Sequence, residues 1–448
     1  MSRKEGSLEA PVRHPIRWRD EKFYDKAVLE QELERVFDIC HGCRRCVSLC
    51  QSFPTLFDLV DESDTMEVDG VDKRDFKKVV DHCYLCDLCF MTKCPYVPPH
   101  EWAVDFPHLM LQAKAQHFKA HGAGARDRLL TSTDSVGRWA SAPGIRHTLN
   151  ATRDIQVFRV ALEKGLGIHR SAQLPAYQRP TLVQRVNHHT NAKAQADEIE
   201  AHAVGETSGK LAIFATCFAN YTAPELAEDF IAVFTHNRVQ FTAIESEQCC
   251  GMPKLELGDL ESVDRLKRHN IPLLARWVRE GWDLTAPIPS CVLMFKQELP
   301  LMYPDDEEVA LVARAFFDPF EYLWLRHKAG ALNTEFARSL GKISYQPACH
   351  QRVQNFGPRT RDLLALIPDT EITTIERCSG HDGTYAVKLE TRDASVKIAR
   401  PVVRRVNETQ PDHHTSDCPM AASHIGSQLD RPTAIPHPMT LLRQAYGL

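Results

Sequence analysis

Cys40-His-Gly-Cys43-Arg-Arg-Cys46-Val-Ser-Leu-Cys50 and Cys83-Tyr-Leu-Cys86-Asp-Leu-Cys89-Phe-Met-Thr-Lys-Cys94-Pro95 decide how the first hundred residues fold. Each run spaces three cysteines closely and sets a fourth further on. Thiolate is the soft ligand that iron–sulfur clusters take, and in two-cluster proteins the fourth cysteine of one run serves the other cluster. The spacing therefore assigns Cys40, Cys43, Cys46 and Cys94 to one [4Fe-4S] centre, and Cys83, Cys86, Cys89 and Cys50 to a second. Two departures stand out. Gln51, not proline, follows Cys50, and four residues rather than three separate Cys89 from Cys94. A longer gap alters a loop and leaves the ligand chemistry intact. Zinc usually takes four ligands as two pairs, and these three-plus-one runs divide poorly that way. His41, Arg44, Arg45 and Asp87 sit among the ligands, where charge tunes a potential; their plainer reading is as solvated loop residues.

Around these runs, Val28, Leu29, Leu33, Val36 and Phe37 recur at helical spacing and predict a helix leading into Cys40. Residues 1–24 read as a flexible leader. The wide separation of Cys50 from Cys83 predicts a helical ferredoxin domain over 25–119. Residues 120–209 contain no cysteine and read as a helical spacer ending in a polar linker from Asn191 to Lys210, with packing against a partner or a membrane surface as the sharper alternative.

From Lys210 the texture changes to short apolar strands, each ending near a cysteine. Leu211–Ala215 leads to Cys217, Val239–Ile244 to Cys249 and Cys250, and Thr285–Ile288 to Cys291. The layout recurs with Cys349, Cys378 and Cys418, at offsets of 132, 129 and 127 residues. Near-equal offsets predict an internal duplication, with domains over 210–330 and 331–448. Strands of a parallel sheet finish on one edge, so residues just past their ends converge. Adjacent Cys249 and Cys250 suit different irons of a cluster better than one tetrahedral ion. The fold class expected is α+β overall: a helical ferredoxin domain, a helical middle segment, then two α/β cysteine-rich domains.

Cys…Cys-Cys-Gly…Cys, given twice behind a two-run ferredoxin domain, resembles the cysteine-rich (CCG) domain proteins. These include catalytic subunits of heterodisulfide reductases and iron–sulfur subunits of glycolate and lactate oxidising complexes. Thr216-Cys-Phe-Ala-Asn-Tyr221, Cys249-Cys-Gly-Met-Pro253 and His437-Pro-Met-Thr-Leu-Leu442 are similar to the C-subunit family of anaerobic glycerol-3-phosphate dehydrogenases. The resemblance implies a further iron–sulfur centre in the repeats, in some members a non-cubane one with five thiolates. This chain departs from that set. Met294 stands where a fifth ligand of the first repeat is expected, leaving Cys217, Cys249, Cys250 and Cys291, enough for one more cluster. In the second repeat Ser379 and Ala421 replace cysteines, so only Cys349, Cys378 and Cys418 survive. His350, Ser379 and His381 are candidates for a fourth contact, and the sequence leaves this second site undecided between a cluster, an open substrate site and three structural thiols.

The totals agree with a redox role inside the cell. Fifteen cysteines without an apolar export signal point to a reducing cytoplasm, where thiols serve metals. No stretch reaches the ~18 apolar residues of a membrane span, so the expected location is cytoplasmic or peripheral on the cytoplasmic face of the membrane. A net charge of −5 gives no support to a nucleic-acid partner. No FAD or NAD fingerprint appears; Gly165-Leu-Gly167 is followed by Arg170 where a third glycine is needed. A redox partner, flavoprotein or soluble carrier, must therefore complete any dehydrogenation. The chain reads as the electron-transfer component of an iron–sulfur oxidoreductase, working between that partner and a quinone or similar acceptor. The alternative is a heterodisulfide reductase-like thiol/disulfide oxidoreductase with its chemistry at the repeats. The catalytic residues are unknown at this level.

Overall fold

A computed structural model of the chain describes residues 9–193, 201–381 and 383–448. The structure mixes many helices with two small parallel sheets.

The first helix runs Lys26–Cys43, because Asp25 caps the N–H groups of Ala27 and Val28 and one face carries Leu29, Leu33, Val36 and Phe37 into the core. It ends where Arg44 turns left-handed at φ 51°, so Cys40 and Cys43 occupy its final turn. Helices Ser52–Asp61, Phe76–Asp81 and Phe106–His121 close the bundle. Phe37 meets Phe76 edge-on, with ring centroids 5.0 Å apart. The extra residue between Cys89 and Cys94 is taken up by a π-helical turn, Cys89–Lys93, in which the Cys94 N–H donates to the Cys89 carbonyl at 2.9 Å.

The N-terminal segment departs from the flexible leader expected over 1–24. Residues 1–8 lie outside the described residues, and 9–24 are packed down. Ile16 and Trp18 are buried. The Ile16 N–H donates to the Leu301 carbonyl at 2.8 Å, and Trp18 Nε1 donates to that of Met302 at 3.3 Å. Arg13 is largely enclosed, its side chain 11% exposed, between Asp105 (Nε–Oδ2 3.0 Å) and Asp87 (second nitrogen to Oδ1, 3.0 Å), with Glu298 at 3.7 Å. Its guanidinium also lies over the Phe90 ring. A segment rich in charge looks solvated in sequence; here its partners lie far along the chain. Asp87 is likewise no solvated loop residue. It is buried, and burial pushes its carboxyl up against the pull of Arg13. Arg44, in contrast, pairs with Asp61 at the surface.

Strands β1 (Lys210–Ile213), β2 (Gln240–Ala243), β3 (Asp283–Thr285) and β4 (Phe316–Phe317) form one sheet in the order β2-β1-β3-β4. Strands β5 (Gly341–Gln346), β6 (Thr370–Thr374) and β7 (His413–Ser416) form the other, in the order β6-β5-β7. All pairings are parallel. Both sheets contain a second-first-third order, β2-β1-β3 and β6-β5-β7. The first sheet adds β4, two residues long and invisible to periodicity.

The conformational match extends to the loops. Gly251 and Gly380 follow the cysteines of corresponding positions, and both have positive φ, 103° and 72°. At Gly380 a Cβ would stand 2.2 Å from the Ser395 carbonyl oxygen, in helix Arg392–Thr409. Gly380→Ala therefore meets both left-handed strain and a backbone clash. We expect a loss of at least about 2 kcal/mol, read as a fall in the urea midpoint, with Gly42→Ala as a control that meets nothing within 4 Å.

One buried acid pair ties the repeats. Asp318 follows β4 and accepts from the Phe320 N–H at 2.9 Å; Asp417 follows β7 and accepts from Tyr345 (2.6 Å) and Thr360 (2.7 Å) hydroxyls. Burial, then Asp417 and Glu321, hold the Asp318 carboxyl up at about 7, against Lys296 and that N–H. Below about pH 4 the group is protonated folded or unfolded. As pH rises from about 4 to 7 the unfolded chain ionises first, so stability falls, by a few kcal/mol at most. Asp318→Asn keeps the cap and should flatten that slope in denaturant titrations run across this pH range.

Candidate metal centres and the cavity they share

The first ferredoxin set closes around one hollow. Cys40, Cys43, Cys46 and Cys94 line it together with Phe53, Phe57, Tyr96 and Val104. Burial and then the neighbouring Cys94 and Cys43 push the Cys46 thiol up to about 12, and burial and then Cys94, Cys46 and Cys43 raise the Cys40 thiol. In the second set, burial and then Cys83 push Cys50 up to about 12, and Cys89 is raised by burial, Cys83, Cys46 and Cys50. Cys86 occupies the loop between Cys83 and Cys89. Cys46 of the first set is thus among the neighbours felt by Cys89 of the second.

Thiols buried this way ionise only where a cationic centre compensates them. That donor chemistry fits an iron–sulfur cluster. Among the described residues no three His, Cys, Asp or Glu side chains close tightly enough to hold a single metal ion.

The repeat cysteines converge as well, and across both repeats. Cys217 opens the helix Cys217–Thr222 after β1, and Cys291 lies in Pro289–Leu293 after β3. Cys349 opens Cys349–Arg352 after β5, and Cys418 caps Pro419–Gly426 after β7. Cys249, Cys250 and Cys378 come from the loops after β2 and β6. Within the first set, the neighbouring Cys217 and Cys250 thiols, then the Gly251 N–H and Thr133, pull the Cys249 thiol well down against burial. Cys217 and Cys250 are correspondingly pushed up. Thr133 Oγ1 lies 3.6 Å from the Cys249 sulfur.

Cys217, Cys250, Cys291, Cys349, Cys378 and Cys418 all line a single cavity of about 440 Å³. The segment expected to be a spacer supplies its other wall. Leu130, Val136, Trp139, Phe158, Leu162 and Tyr177 face into it, from helices Ala125–Thr131, Thr133–Ala140 and Gln156–Leu166 and the irregular stretch that follows. The sequence carries no signal for this role, because an apolar stripe on a helix reads equally as core. The cavity is therefore mostly apolar, with sulfur along one side. The linker expected over 191–210 lies partly outside the described residues.

Of the three candidate fourth contacts in the second repeat, His350 is committed elsewhere. Its Nδ1 meets Ser290 Oγ at 2.8 Å and its Nε2 meets the Leu85 carbonyl at 3.1 Å. Ser379 Oγ accepts from the His381 N–H at 3.3 Å. His381 lines the cavity, its Nε2 is buried without a hydrogen-bond partner, and burial and then Arg392 hold the ring neutral, down at about 4. No helix among the described residues is long and apolar enough to cross a membrane.

Comparison with known proteins agrees with this geometry. Residues 211–296 match the family model of the cysteine-rich domain, CCG. The chain is 26% identical over 330 residues to the C subunit of the anaerobic glycerol-3-phosphate dehydrogenase of Escherichia coli (strain K12), covering 72% of this chain and 77% of that one. It is 23% identical over 235 residues to the B subunit of the fumarate reductase (CoM/CoB) of Methanothermobacter marburgensis, covering 51% and 44%. It is 24% identical over 229 residues to lactate utilization protein A of Bacillus cytotoxicus, covering 50% and 92%. Residues 211–296 thus match the CCG cysteine-rich domain, and the chain is similar to a glycerol-3-phosphate dehydrogenase subunit, a fumarate reductase subunit and a lactate utilization protein.

Proposed function

We propose that the chain is the iron–sulfur electron-transfer subunit of an oxidoreductase. Cys40, Cys43, Cys46 and Cys94 would hold one [4Fe-4S] cluster, and Cys50, Cys83, Cys86 and Cys89 a second. A third would be held in the first repeat by Cys217, Cys249, Cys250 and Cys291. Bound there, such clusters pass single electrons; the chain's own residues bury them, space them and shape the terminal site. The observation that carries this reading is the confluence of both repeat sets on one apolar cavity, beside the loop that bears Cys83 and Cys86.

Electrons arrive from a flavoprotein or soluble carrier at the first ferredoxin set, where Val47 and Trp102 are exposed beside the hollow. They leave at the cavity. Its apolar wall favours a quinone as acceptor, and Trp139 both lines the cavity and is 60% exposed, next to a helix whose Val157 is 80% exposed. An apolar surface of this kind suits contact with lipid, so the chain would work in the cytoplasm or against the membrane face.

Redox titration of anaerobically purified protein, followed by electron paramagnetic resonance, tests the proposal. Reducible centres that are reoxidised by a short-chain quinone support it; colourless protein carrying only zinc overturns it. One observation favours the second reading, reduction of a disulfide: the two cysteine sets face a common cavity. Unaided reduction of an organic disulfide by the reduced protein would establish that reading instead.

A further inference from the structure

One side chain outside any ligand set touches the neighbourhood of three of them. His350 follows Cys349 and is buried. It meets the hydroxyl of Ser290, the residue before Cys291, and the carbonyl of Leu85, the residue before Cys86. A carbonyl only accepts, so Nε2 carries the proton, and in the neutral ring Nδ1 accepts from Ser290 Oγ. The tautomer is fixed by the two partners. Leu85 is itself held in the left-handed region at φ 53°, a conformation leucine seldom adopts and which needs support from its surroundings. Nearby, Gln354 Nε2 donates to the His350 carbonyl at 2.9 Å and meets that of Pro289 at 3.4 Å, which fastens the two helices carrying Cys349 and Cys291 to each other. Leu88, from the same ferredoxin loop, reaches the cavity wall.

We propose that His350 is a positioning residue that clamps the Cys83–Cys89 loop against both repeats, and that electrons cross between the ferredoxin domain and the cavity at this contact. The inference rests on the relay reading above. With iron–sulfur centres held by that loop and at the cavity, the step it positions would be the passage of one electron from the reduced centre to the oxidised one. No bond breaks, and the Nε2 proton stays on the ring.

Three variants of the full chain test it: His350→Leu, which removes both hydrogen bonds; His350→Gln, which keeps one donor and one acceptor; and Ser290→Ala, a milder change that leaves the Leu85 contact possible. Hydrogen exchange over residues 83–89 should quicken about fivefold or more in His350→Leu. With iron content unchanged, freeze-quench reoxidation of the ferredoxin signals by quinone should slow about tenfold. His350→Gln should recover much of both, and Ser290→Ala should fall between wild type and His350→Leu. Unchanged exchange in His350→Leu overturns the clamp; faster exchange with unchanged reoxidation overturns the crossing point. If His350→Leu fails to fold, the same two outcomes are read from His350→Phe, which likewise removes both hydrogen bonds. Wild-type protein without iron would sink the relay reading separately, and the exchange result would still stand or fall by itself.

Discussion

Arg13→Ala should unfold at a markedly lower denaturant concentration than the native chain, with a loss of about 3–5 kcal/mol. Arg13 is largely enclosed among Asp87, Asp105 and Glu298, contributed by three separate parts of the sequence. His108 is the other cation in the group, with Nδ1 3.2 Å from Asp105 and Nε2 3.6 Å from Glu298. Without the guanidinium, two buried carboxylates and the half-buried Asp105 face one imidazole, and some must take up protons or admit water. Arg13→Lys keeps the charge but loses the forked geometry that serves two carboxylates at once, so an intermediate loss is expected. Arg44→Ala is the contrast: its exposed pair with Asp61 is screened by solvent, and its midpoint should hardly move. Because Asp87 lies between Cys86 and Cys89, Arg13→Ala should also shift the potential of the second ferredoxin centre. The loss of a positive charge disfavours an added electron, so the shift is expected to be negative. An unmoved denaturation midpoint would show that the buried network contributes little.

Cys250→Ser should remove the terminal centre and spare the two upstream. Cys250 is buried, lines the cavity and adjoins Cys249 in the chain. Serine is a poor ligand for this class of centre, and a cluster short of a thiolate is lost or degraded. Iron and acid-labile sulfide should each fall by about four per chain. The ferredoxin signals should remain, while electron delivery to a quinone drops to background. Retention of all iron, with normal quinone reduction, would place the third centre elsewhere.

What could be read from the chain alone was whatever is local. The ferredoxin assignments follow from spacings of a few residues. The strands before Cys217 and Cys249 follow from short apolar runs, and observed β1 and β2 overlap them. The third strand was displaced: the expected Thr285–Ile288 starts where β3 ends. What escaped is whatever depends on distant partners. Arg13 looks like one more charge in a charged leader until Asp87, Asp105 and Glu298 are placed around it. His350 looks like a spare ligand until Leu85 and Ser290 take both its nitrogens. The helices over 125–166 carry apolar faces that periodicity detects, but nothing in their sequence says that the other side of the space is sulfur.

The π-helical turn at Cys89–Lys93 bears on how such chains change over generations. A backbone able to shift its hydrogen-bond phase from four residues to five can swallow an insertion without moving the atoms on either side. Counting gaps between metal-binding residues is then too strict a filter: a motif search that demands three intervening positions would pass over this run, although the inserted residue costs the site no more than a local bulge.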